Sequence, residues 1–542
     1  MPFLLDAAVV AAYVGAILAI GLTLGRRDRT LEGFAVGDRR IPWWAVLASI
    51  LAAEISAATF LGAPGEGYAL RNFTYAQLAL GTVLARVIVG FVFIKPYYDF
   101  RVVSIYEFLE IRFGPTTRNT ASAVFLATRA LASGTRLYVA AVILVLAFES
   151  ATGARPAPGQ ELAIYAVALV GITALTAAYT AAGGIKAVVW TDLIQACVML
   201  GAMGTALGVL LSRIPGGWDG AMRLLQRPGD LAFLDVGRDA GGLWASVKGV
   251  LESEYTIWAA VFGSTFITMA THGTDQDMVQ RMLTAKNHRR SRLALVLSGL
   301  ADLPIVFAFL LIGVLLWVFY QTNPDPRLPA KNPHVFAWFI LHEIPPGARG
   351  LLVAGILATA MGSLSTALNA LATSFVKDWF LRPGTDDARA VRAVRWSTVG
   401  FAALLVAIGI ATAWAVIVIP GSRIIPIVLG IFGYTYGSLL GVFLVGMLTR
   451  SRGSERGNLL AMACGLLVVA GLADLPGDLF VLAGGARPAR PEWLPTIEFP
   501  WRIMFGTLTT LGVALLFRTP AERVAHARAR REALAPQATA SR

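Results

Sequence analysis

The sequence predicts an all-α protein that crosses a membrane about thirteen times, and three observations lead to this fold class. The first is composition: 56% of the 542 residues are hydrophobic and only 15% are charged, which is too apolar for a water-soluble chain of this length. The second is that apolar runs of about 18 to 25 residues recur, each long enough to cross a hydrocarbon core of about 30 Å as a helix. The third is the distribution of basic residues.

The first apolar run is expected to be a retained helix. No basic residue precedes it, whereas Arg26, Arg27 and Arg29 follow it, which is the reverse of the order in a cleaved signal peptide. The predicted spans are 5–25, 43–68, 74–97, 119–147, 161–181, 188–211, 251–272, 291–319, 347–373, 394–418, 421–447, 457–474 and 500–517.

The basic residues predict the orientation. With the N-terminus outside, roughly 29 Lys and Arg fall in inside segments and roughly 13 in outside segments, as the positive-inside rule expects. We therefore expect a multi-pass protein of the cell inner (plasma) membrane with its C-terminus in the cytoplasm. The net charge of +13 has the same explanation, because basic residues cluster in the inside loop 286–292 and in the tail. Nucleic-acid binding is not indicated.

The orientation also predicts an internal symmetry. The second span runs outward and the seventh, five helices later, runs inward, so two groups of five helices have opposite topology. The expected segments are an N-terminal helix and inside loop (1–42), a first five-helix repeat (43–212), an outside loop with room for a short helix (213–250), a second, inverted repeat (251–449), two C-terminal helices (450–517) and a basic cytoplasmic tail that is expected to fray (518–542).

Two predicted spans carry small polar residues and glycine where a lipid-facing helix would carry leucine. The second contains AAEISAATFLGAPGEGY (52–68), and the seventh contains AVFGSTFITMATHG (260–273), with Gly263 and Ser264 near its middle. In proteins built from inverted repeats, corresponding interrupted helices form the binding site. We therefore expect both spans to be interrupted near the middle.

Ionisable residues also lie inside predicted spans, where each costs about 2.5 to 3.5 kcal/mol unless it faces protein or water. Glu54 is near the middle of the second span. Arg129 and Arg136, seven residues apart, share one face of the fourth. We expect one arginine to be neutralised by Glu54 or Asp302 and the other to be available for an anionic substrate. Purely structural roles for both arginines are the alternative.

The ninth predicted span contains a polar stretch that consists of Thr359, Ser363, Ser365, Thr366 and Asn369. Hydroxyl and free carbonyl oxygens suit a weakly held monovalent cation, although Ser and Thr also form hydrogen bonds between helices. The spacing alone leaves both explanations open. The sequence contains no HExxH, CxxC or P-loop pattern, so we do not expect an enzyme.

Five long motifs follow one another along the chain. They are EGFAVGDRRIPWW (32–44), AAEISAATFLGAPGEGY (52–68), GGIKAVVWTDLIQ (183–195), GTDQDMVQRML (273–283) and, more loosely, ILATAMGSLSTALN (356–369). With these motifs the chain resembles the sodium/solute symporter family, which includes sodium-coupled sugar, proline, sialic acid and monocarboxylate carriers. The resemblance implies a five-plus-five inverted-repeat core of the leucine-transporter type, with one helix before it and two after. It also implies sodium-driven import of a small organic solute by alternating access, with no organic cofactor.

The resemblance further implies a Na⁺ site between the second and ninth spans. Its ligands would be the backbone carbonyls of Ala52 and Ile55, the carbonyl of Thr359 and the hydroxyl of Ser363. The family usually has serine where this chain has Gly362, so one hydroxyl ligand is missing. Water or the Thr359 side chain would replace it, or the site would be weaker.

Some family members have a second sodium site, and the same positions here are Ser365, Thr366 and Asp192. Sugar carriers place Gln in the second span and Asn and Tyr in the seventh, where this chain has only threonines, so a sugar is not expected. The favoured substrate is a carboxylate-bearing anion or zwitterion. The expected substrate-binding residues are Glu54, Ser56, Thr59, Arg129, Arg136 and Thr268.

Two other functions fit the same fold. The first is proton-coupled symport, with Glu54 or Asp192 carrying the proton. The second is a transporter-like membrane sensor, although the 25 residues after residue 517 are too few for a kinase region. The expected partners are a small solute and membrane lipid. The sequence does not fix the oligomeric state and is compatible with a monomer.

Overall fold

The structure is a computed structural model that describes residues 2–24, 30–153, 156–237, 241–382, 384–418, 430–482, 485, 488–489 and 497–539. The secondary structure in these ranges is helical apart from isolated bridges. The α-helices are α1 (Pro2–Thr23), α2 (Leu31–Val36), α3 (Trp43–Glu54), α4 (Ala57–Leu70), α5 (Leu78–Val92), α6 (Ile94–Asp99), α7 (Tyr106–Arg112), α8 (Pro115–Thr152), α9 (Pro158–Arg213), α10 (Gly217–Leu224), α11 (Leu243–Glu252), α12 (Thr265–Gly273), α13 (Gln276–Met282), α14 (His288–Thr322), α15 (Asn332–His342), α16 (Ala348–Phe375), α17 (Asp387–Val418), α18 (Ile431–Leu448), α19 (Glu455–Leu472), α20 (Leu475–Leu482), α21 (Phe499–Leu515) and α22 (Ala521–Thr539).

The prediction of an all-α polytopic membrane protein is confirmed. Within the described residues, eight helices are long and apolar enough to cross a membrane, and α3 and α4 add a ninth span if the bent pair counts as one. The predicted spans 161–181 and 188–211 are the two halves of α9, which is kinked between them at the non-helical residue Gly184. The start of the predicted span 421–447 lies outside the described residues. The number thirteen therefore stays a prediction.

The second predicted span is interrupted, as expected. Helix α3 ends at Glu54, and Ile55 has an extended backbone with φ −84° and ψ 95°. Ser56 then caps α4, because its hydroxyl accepts a hydrogen bond from the Thr59 amide at 3.4 Å. The two helices meet at an angle of 65°, so the last carbonyls of α3 do not accept hydrogen bonds from a following helical turn.

The seventh predicted span is not broken in its middle, so that prediction is wrong. Residues Ala259–Ser264 form a π-helix that continues directly into α12. The break comes later, at Thr274 and Asp275, between α12 and α13. A π-helical turn absorbs the irregular stretch without ending the helix, whereas Asp275 caps α13 by accepting from the Asp277 amide at 2.9 Å.

One glycine in α4 and one in α14 allow these two helices to pack closely. A Cβ atom on Gly67 would lie 2.2 Å from the Leu310 carbonyl oxygen, and one on Gly313 would lie 2.0 Å from the Pro64 carbonyl oxygen. Neither distance is possible for a larger residue, so the backbones of the two helices meet directly. This contact holds α4, the second half of the interrupted span, in place.

The outside loop and the tail are both more ordered than the sequence suggests. The predicted loop 213–250 contains two short helices, α10 and α11, where one was expected. The tail was expected to fray, but it forms the 19-residue helix α22. In this helix, Nη2 of Arg531 lies 2.8 Å from the Asp99 carboxylate of α6, which gives the tail a fixed contact.

The bend of α9 generates a prediction at Gly184. This residue has φ 56° and ψ −153°, and a Cβ atom on it would lie 2.6 Å from the Phe34 carbonyl oxygen. Replacing Gly184 by alanine should therefore lower the free energy of unfolding by about 2 kcal/mol or more, measured by thermal unfolding. Gly171→Ala in the same helix, where the Cβ would meet nothing within 4 Å, is the matched control. Equal stability of the two variants would contradict the strained bend.

Candidate functional site

A cavity of about 360 Å³ lies beside the break between α3 and α4, and this volume suits a small organic molecule. Side chains from α5, α8, α12, α14 and α16, among them Ser363 of α16, form most of its other walls. Sequence analysis did not single out Tyr75, Thr82, Ser133 and Phe432, which also line it. The structure brings all six expected substrate residues to this cavity, namely Glu54, Ser56, Thr59, Arg129, Arg136 and Thr268.

The partner of Glu54 is Arg86 of α5, so the prediction that an arginine of α8 neutralises Glu54 is wrong. Nη2 of Arg86 binds Oε2 of Glu54, and Nη1 donates to the Ser298 hydroxyl at 3.1 Å. His272 Nε2 lies 4.0 Å from the other Glu54 oxygen. The sequence shows Arg86 as a lone arginine in the apolar stretch TVLARVIVG (82–90). An apolar stretch does not show which other helix its arginine faces, so the partner could not be predicted.

Arg129 is neutralised by two aspartates of the GTDQDMVQRML motif and not by Glu54 or Asp302. Its Nη2 atom lies 2.5 Å from Asp275 Oδ2 and 2.7 Å from Asp277 Oδ2. Asp275 lies at the break between α12 and α13, and Asp277 lies in the first turn of α13. One oxygen of Asp275 caps α13, and the other binds Arg129. Arg129 is thus a buried, doubly paired group.

Arg136 keeps a free positive charge at the cavity. In the described part of the chain it forms no ion pair, in contrast to Arg129 two turns earlier. Its guanidinium carbon lies 4.8 Å from the centroid of the Phe432 ring, which is within cation–π distance. The geometry therefore separates the two arginines of α8: Arg129 is paired, and Arg136 forms no ion pair among the described residues.

The paired charges continue from α13 toward α9. Asp277 Oδ1 accepts from Arg281 Nη2 at 2.9 Å, and Arg281 Nη1 lies 3.8 Å from Asp192 Oδ2. Asp192 Oδ1 is buried and has no hydrogen-bond partner among the described residues. Three aspartates of this network face two arginines, which are Arg129 and Arg281. Arg136 lies close enough to Asp275 and Asp277 to interact with their charges and offsets the extra carboxylate. The unpartnered Asp192 oxygen, rather than a net charge, is therefore what favours a cation there.

Helix α16 passes the last turn of α3 at Gly362, within the stretch that carries the expected sodium ligands Thr359 and Ser363. A Cβ atom on Gly362 would lie 3.3 Å from the Ala52 carbonyl oxygen. Ala52 and Ile55 belong to the break itself, where carbonyls lack helical partners. The hydroxyls of Thr359 and Ser363 donate to carbonyls of their own helix at 2.8 and 3.1 Å, so their oxygen lone pairs remain available as ligands.

Sequence reasoning missed Gln195, which lies at the same crossing. Its Oε1 atom is 2.9 Å from the place where a Cβ on Gly362 would be. Gln195 is only 1% exposed, and neither polar atom of its amide has a hydrogen-bond partner among the described residues. The hydroxyls of Tyr13 and Tyr179 lie close to this amide, and each also donates to Met361. The Gln195 amide oxygen thus lies beside Gly362, the position where the family usually has a serine hydroxyl.

The three residues of the possible second sodium site lie next to this crossing. The Ser365 hydroxyl donates to the Gly362 carbonyl at 3.0 Å, and the Thr366 hydroxyl donates to the Ser363 carbonyl at 2.9 Å. Asp192 Oδ2 accepts from a buried serine hydroxyl at 2.5 Å. Carbonyl, hydroxyl, amide and single carboxylate oxygens form a ligand set for a hard monovalent cation rather than a transition metal. Among the described residues, no three His, Cys, Asp or Glu side chains converge as a metal centre would require.

Comparison with known proteins agrees with this geometry. A family model described as the sodium:solute symporter family matches residues 34–465. The chain is 29% identical over 453 residues to the human sodium/iodide cotransporter, covering 81% of this chain and 64% of that protein. It is 27% identical over 380 residues to a sodium/sialic acid symporter of Proteus mirabilis, covering 69% and 71% of the two chains. It is 28% identical over 524 residues to the sodium-dependent multivitamin transporter of Oryctolagus cuniculus, covering 94% and 76%.

A solved structure has the same fold. It is a Na⁺-coupled sialic acid symporter in a substrate-bound, outward-open state, with a TM-score of 0.76 and 21% sequence identity. The superposition covers 94% of this chain and 97% of the other. At this identity the likeness shows the arrangement of the helices and does not extend to what the cavity binds.

The buried pair of Glu54 and Arg86 generates a prediction on stability. Replacing Arg86 by glutamine leaves a carboxylate inside the bundle without its counter-charge and should cost about 3 to 5 kcal/mol. The double variant Arg86→Gln/Glu54→Gln should recover part of that loss, because no charge is left unpaired. Thermal unfolding of the purified protein measures both.

The matched control is Lys95→Gln, which breaks the Lys95–Asp99 pair, where the lysine side chain is 47% exposed. Screening by water should keep its effect below about 1 kcal/mol. If the Arg86 variant were as stable as this control, the Glu54–Arg86 pair would have no structural role.

Proposed function

We propose that this chain, which belongs to the sodium:solute symporter family, carries a small organic anion or zwitterion inward together with sodium. It is a multi-pass membrane carrier that couples sodium to a small solute by alternating access. The proposal adds the class of solute and the residues that hold the solute and the ion. It places the protein in the plasma membrane with its N-terminus outside, and it keeps the two five-helix repeats at 43–212 and 251–449.

The observation that carries the anion proposal is the free charge of Arg136. A guanidinium group at a cavity in the bundle is costly without a counter-charge, and none of the described carboxylates pairs with it. A substrate carboxylate would supply that charge through two parallel hydrogen bonds. The small hydroxyl residues Ser56, Thr59 and Thr268 would then bind the rest of the molecule. The relatives named above include carriers of iodide and of sialic acid, both of which are anions.

The sodium ion would bind at the crossing of α3 and α16. The proposed ligands are the carbonyls of Ala52, Ile55 and Thr359, the hydroxyl of Ser363 and, in place of the missing hydroxyl at Gly362, the Gln195 amide oxygen. Support comes from the unpartnered Gln195 amide beside the Ala52 carbonyl, since a buried amide without partners costs about 1 to 3 kcal/mol per group. An ion at this place would draw α16 and the broken end of α3 together.

A second sodium at Asp192, Ser365 and Thr366 would matter for the energetics. One sodium moving inward across 100 mV releases about 2.3 kcal/mol, and a tenfold gradient adds about 1.4 kcal/mol. When a monovalent anion is carried with one sodium, the two charges cancel, so the membrane voltage contributes nothing to accumulation of the anion. A second sodium restores that contribution, and it would bind at the unpartnered carboxylate oxygen of Asp192.

Proton coupling on the same fold is the second candidate function. Asp192 is the group that favours it, because its Oδ1 atom has no hydrogen-bond partner among the described residues. Glu54 is a poorer proton carrier, since Arg86 stabilises its charged form. Uptake into proteoliposomes at fixed pH, with sodium replaced by potassium, separates the two: sodium coupling predicts that uptake stops, and proton coupling predicts that it continues.

The two arginines should respond differently to substitution. Arg136→Gln removes the free charge and should abolish binding of an anionic ligand, whereas Arg136→Lys should retain it in part, at least tenfold weaker because the bidentate contact is lost. Arg129→Gln should instead lower the amount of folded protein, because it leaves Asp275 and Asp277 without their partner.

Ligand-induced thermal stabilisation and yield of the purified protein measure these effects. If Arg136→Gln binds an anionic substrate as tightly as the unaltered protein, the proposed role of Arg136 is wrong, while sodium-coupled transport itself could still be observed.

The sodium site predicts a rescue. Ser363→Ala and Gln195→Ala should each raise the sodium concentration for half-maximal thermal stabilisation and uptake by about tenfold, since each loses one ligand. Adding Gly362→Ser to Gln195→Ala should restore much of the affinity, because the new hydroxyl faces the Ala52 carbonyl and the shortened side chain leaves it room.

Ser212→Ala is the control, since its exposed hydroxyl also donates to a carbonyl three residues earlier but lies far along α9 from the crossing. An unchanged sodium requirement in Ser363→Ala and Gln195→Ala would remove both residues from the site. A rescue that fails would leave Gln195 with a packing role only.

A further inference from the structure

A second cavity, of about 630 Å³, lies between the bend of α9 and the first turns of α17. The residues that line it differ in kind from those of the substrate cavity, since they are two arginines, one tryptophan and three apolar residues. Its walls are Ala181 and Ala182 of α9 and Arg392, Arg395, Trp396 and Val399 of α17. We propose that this cleft binds an anionic phospholipid, with its phosphate on the two arginines and an acyl chain along α17.

The charge of the cleft is positive and uncompensated. Arg392 and Arg395 are three residues apart, so they lie on one face of α17. Neither forms an ion pair with any carboxylate in the part of the chain that the structure describes. Arg395 donates from Nη2 to the Ala182 carbonyl at 3.4 Å, while its Nε atom is buried without an acceptor. Two guanidinium groups with free N–H donors match a phosphate group.

The rest of the cleft is apolar and open toward the side of the bundle. Trp396 is 75% exposed and Val399 is 48% exposed. In a protein that crosses a membrane, such a strip is in contact with acyl chains, and tryptophan marks the level of the headgroups. A ligand with a phosphate at one end and a hydrocarbon chain at the other fits both halves, whereas a soluble phosphate uses only the first.

The cleft lies at the basic end of the bundle. The Arg395 guanidinium is 5.7 Å from the ring of Phe34 in α2, and α2 belongs to the predicted inside segment that also holds Asp38, the ion-pair partner of Lys186. The positive-inside rule assigns this end to the cytoplasm. Anionic lipids are enriched in the cytoplasmic leaflet and are attracted to basic residues near its surface. Position and charge therefore agree on an anionic rather than a zwitterionic lipid.

The test compares lipid retention by the purified full-length protein and two double variants, using native mass spectrometry with phosphatidylglycerol or phosphatidylcholine. The unaltered protein should bind its first phosphatidylglycerol about tenfold more tightly than phosphatidylcholine. Arg392→Gln/Arg395→Gln should lose most of that preference. Arg289→Gln/Arg290→Gln removes two exposed arginines at the same end of the molecule, outside the cleft, and should keep it.

A second measurement covers the possibility that the cleft variant folds poorly. Phosphatidylglycerol with brominated acyl chains should quench tryptophan fluorescence, and part of this quenching should be lost in Trp396→Phe. Brominated phosphatidylcholine should not show the same loss in that variant. Equal lipid preference in the cleft variant and the unaltered protein would overturn the proposal. So would displacement of phosphatidylglycerol by millimolar inorganic phosphate, since the cleft would then be a simple anion site.

Discussion

The contact on which the site depends is the pairing of Arg129 with Asp275 and Asp277 inside the bundle. Charges at this depth cannot be left to water, so the helices that carry them must meet. The break after α12 places the two aspartates where Arg129 reaches them, and Arg281 extends the same network to Asp192. This pairing consumes one arginine of α8 and leaves Arg136 as the free charge at the cavity.

The broken helix obeys the same constraint from the backbone side. Carbonyls that lose their helical partners inside a membrane are tolerated only where protein, water or an ion can satisfy them. The break at Ile55 and Ser56 lies beside a cavity and against α16, and direct backbone packing on α14 holds α4 in place. The helix therefore ends where the cavity and a neighbouring helix leave room for other groups to satisfy its free carbonyls.

Sequence reasoning reached the correct regions and failed on partners. It found the ionisable residue Glu54 and the hydroxyls of α16, because each departs visibly from an apolar pattern. It expected an arginine of α8 to be neutralised by Glu54 or Asp302, whereas Glu54 pairs with Arg86 of α5 and Arg129 pairs with two aspartates of the later motif. It also overlooked Gln195, since an amide in a motif looks ordinary until its two polar atoms are seen without partners. Spacing along one helix shows which residues share a face but not which other helix that face meets.

The sequence by itself determined the membrane-spanning class of the protein, its family and the location of the first break, because hydropathy and long motifs are properties of consecutive residues. The tertiary structure decided which charges neutralise each other, which arginine stays free and what stands beside Gly362. It also moved the second break from the middle of the predicted seventh span to Thr274 and Asp275. These outcomes depend on contacts between helices far apart in the chain, and in a low-dielectric interior it is those contacts that decide the energy of every polar group.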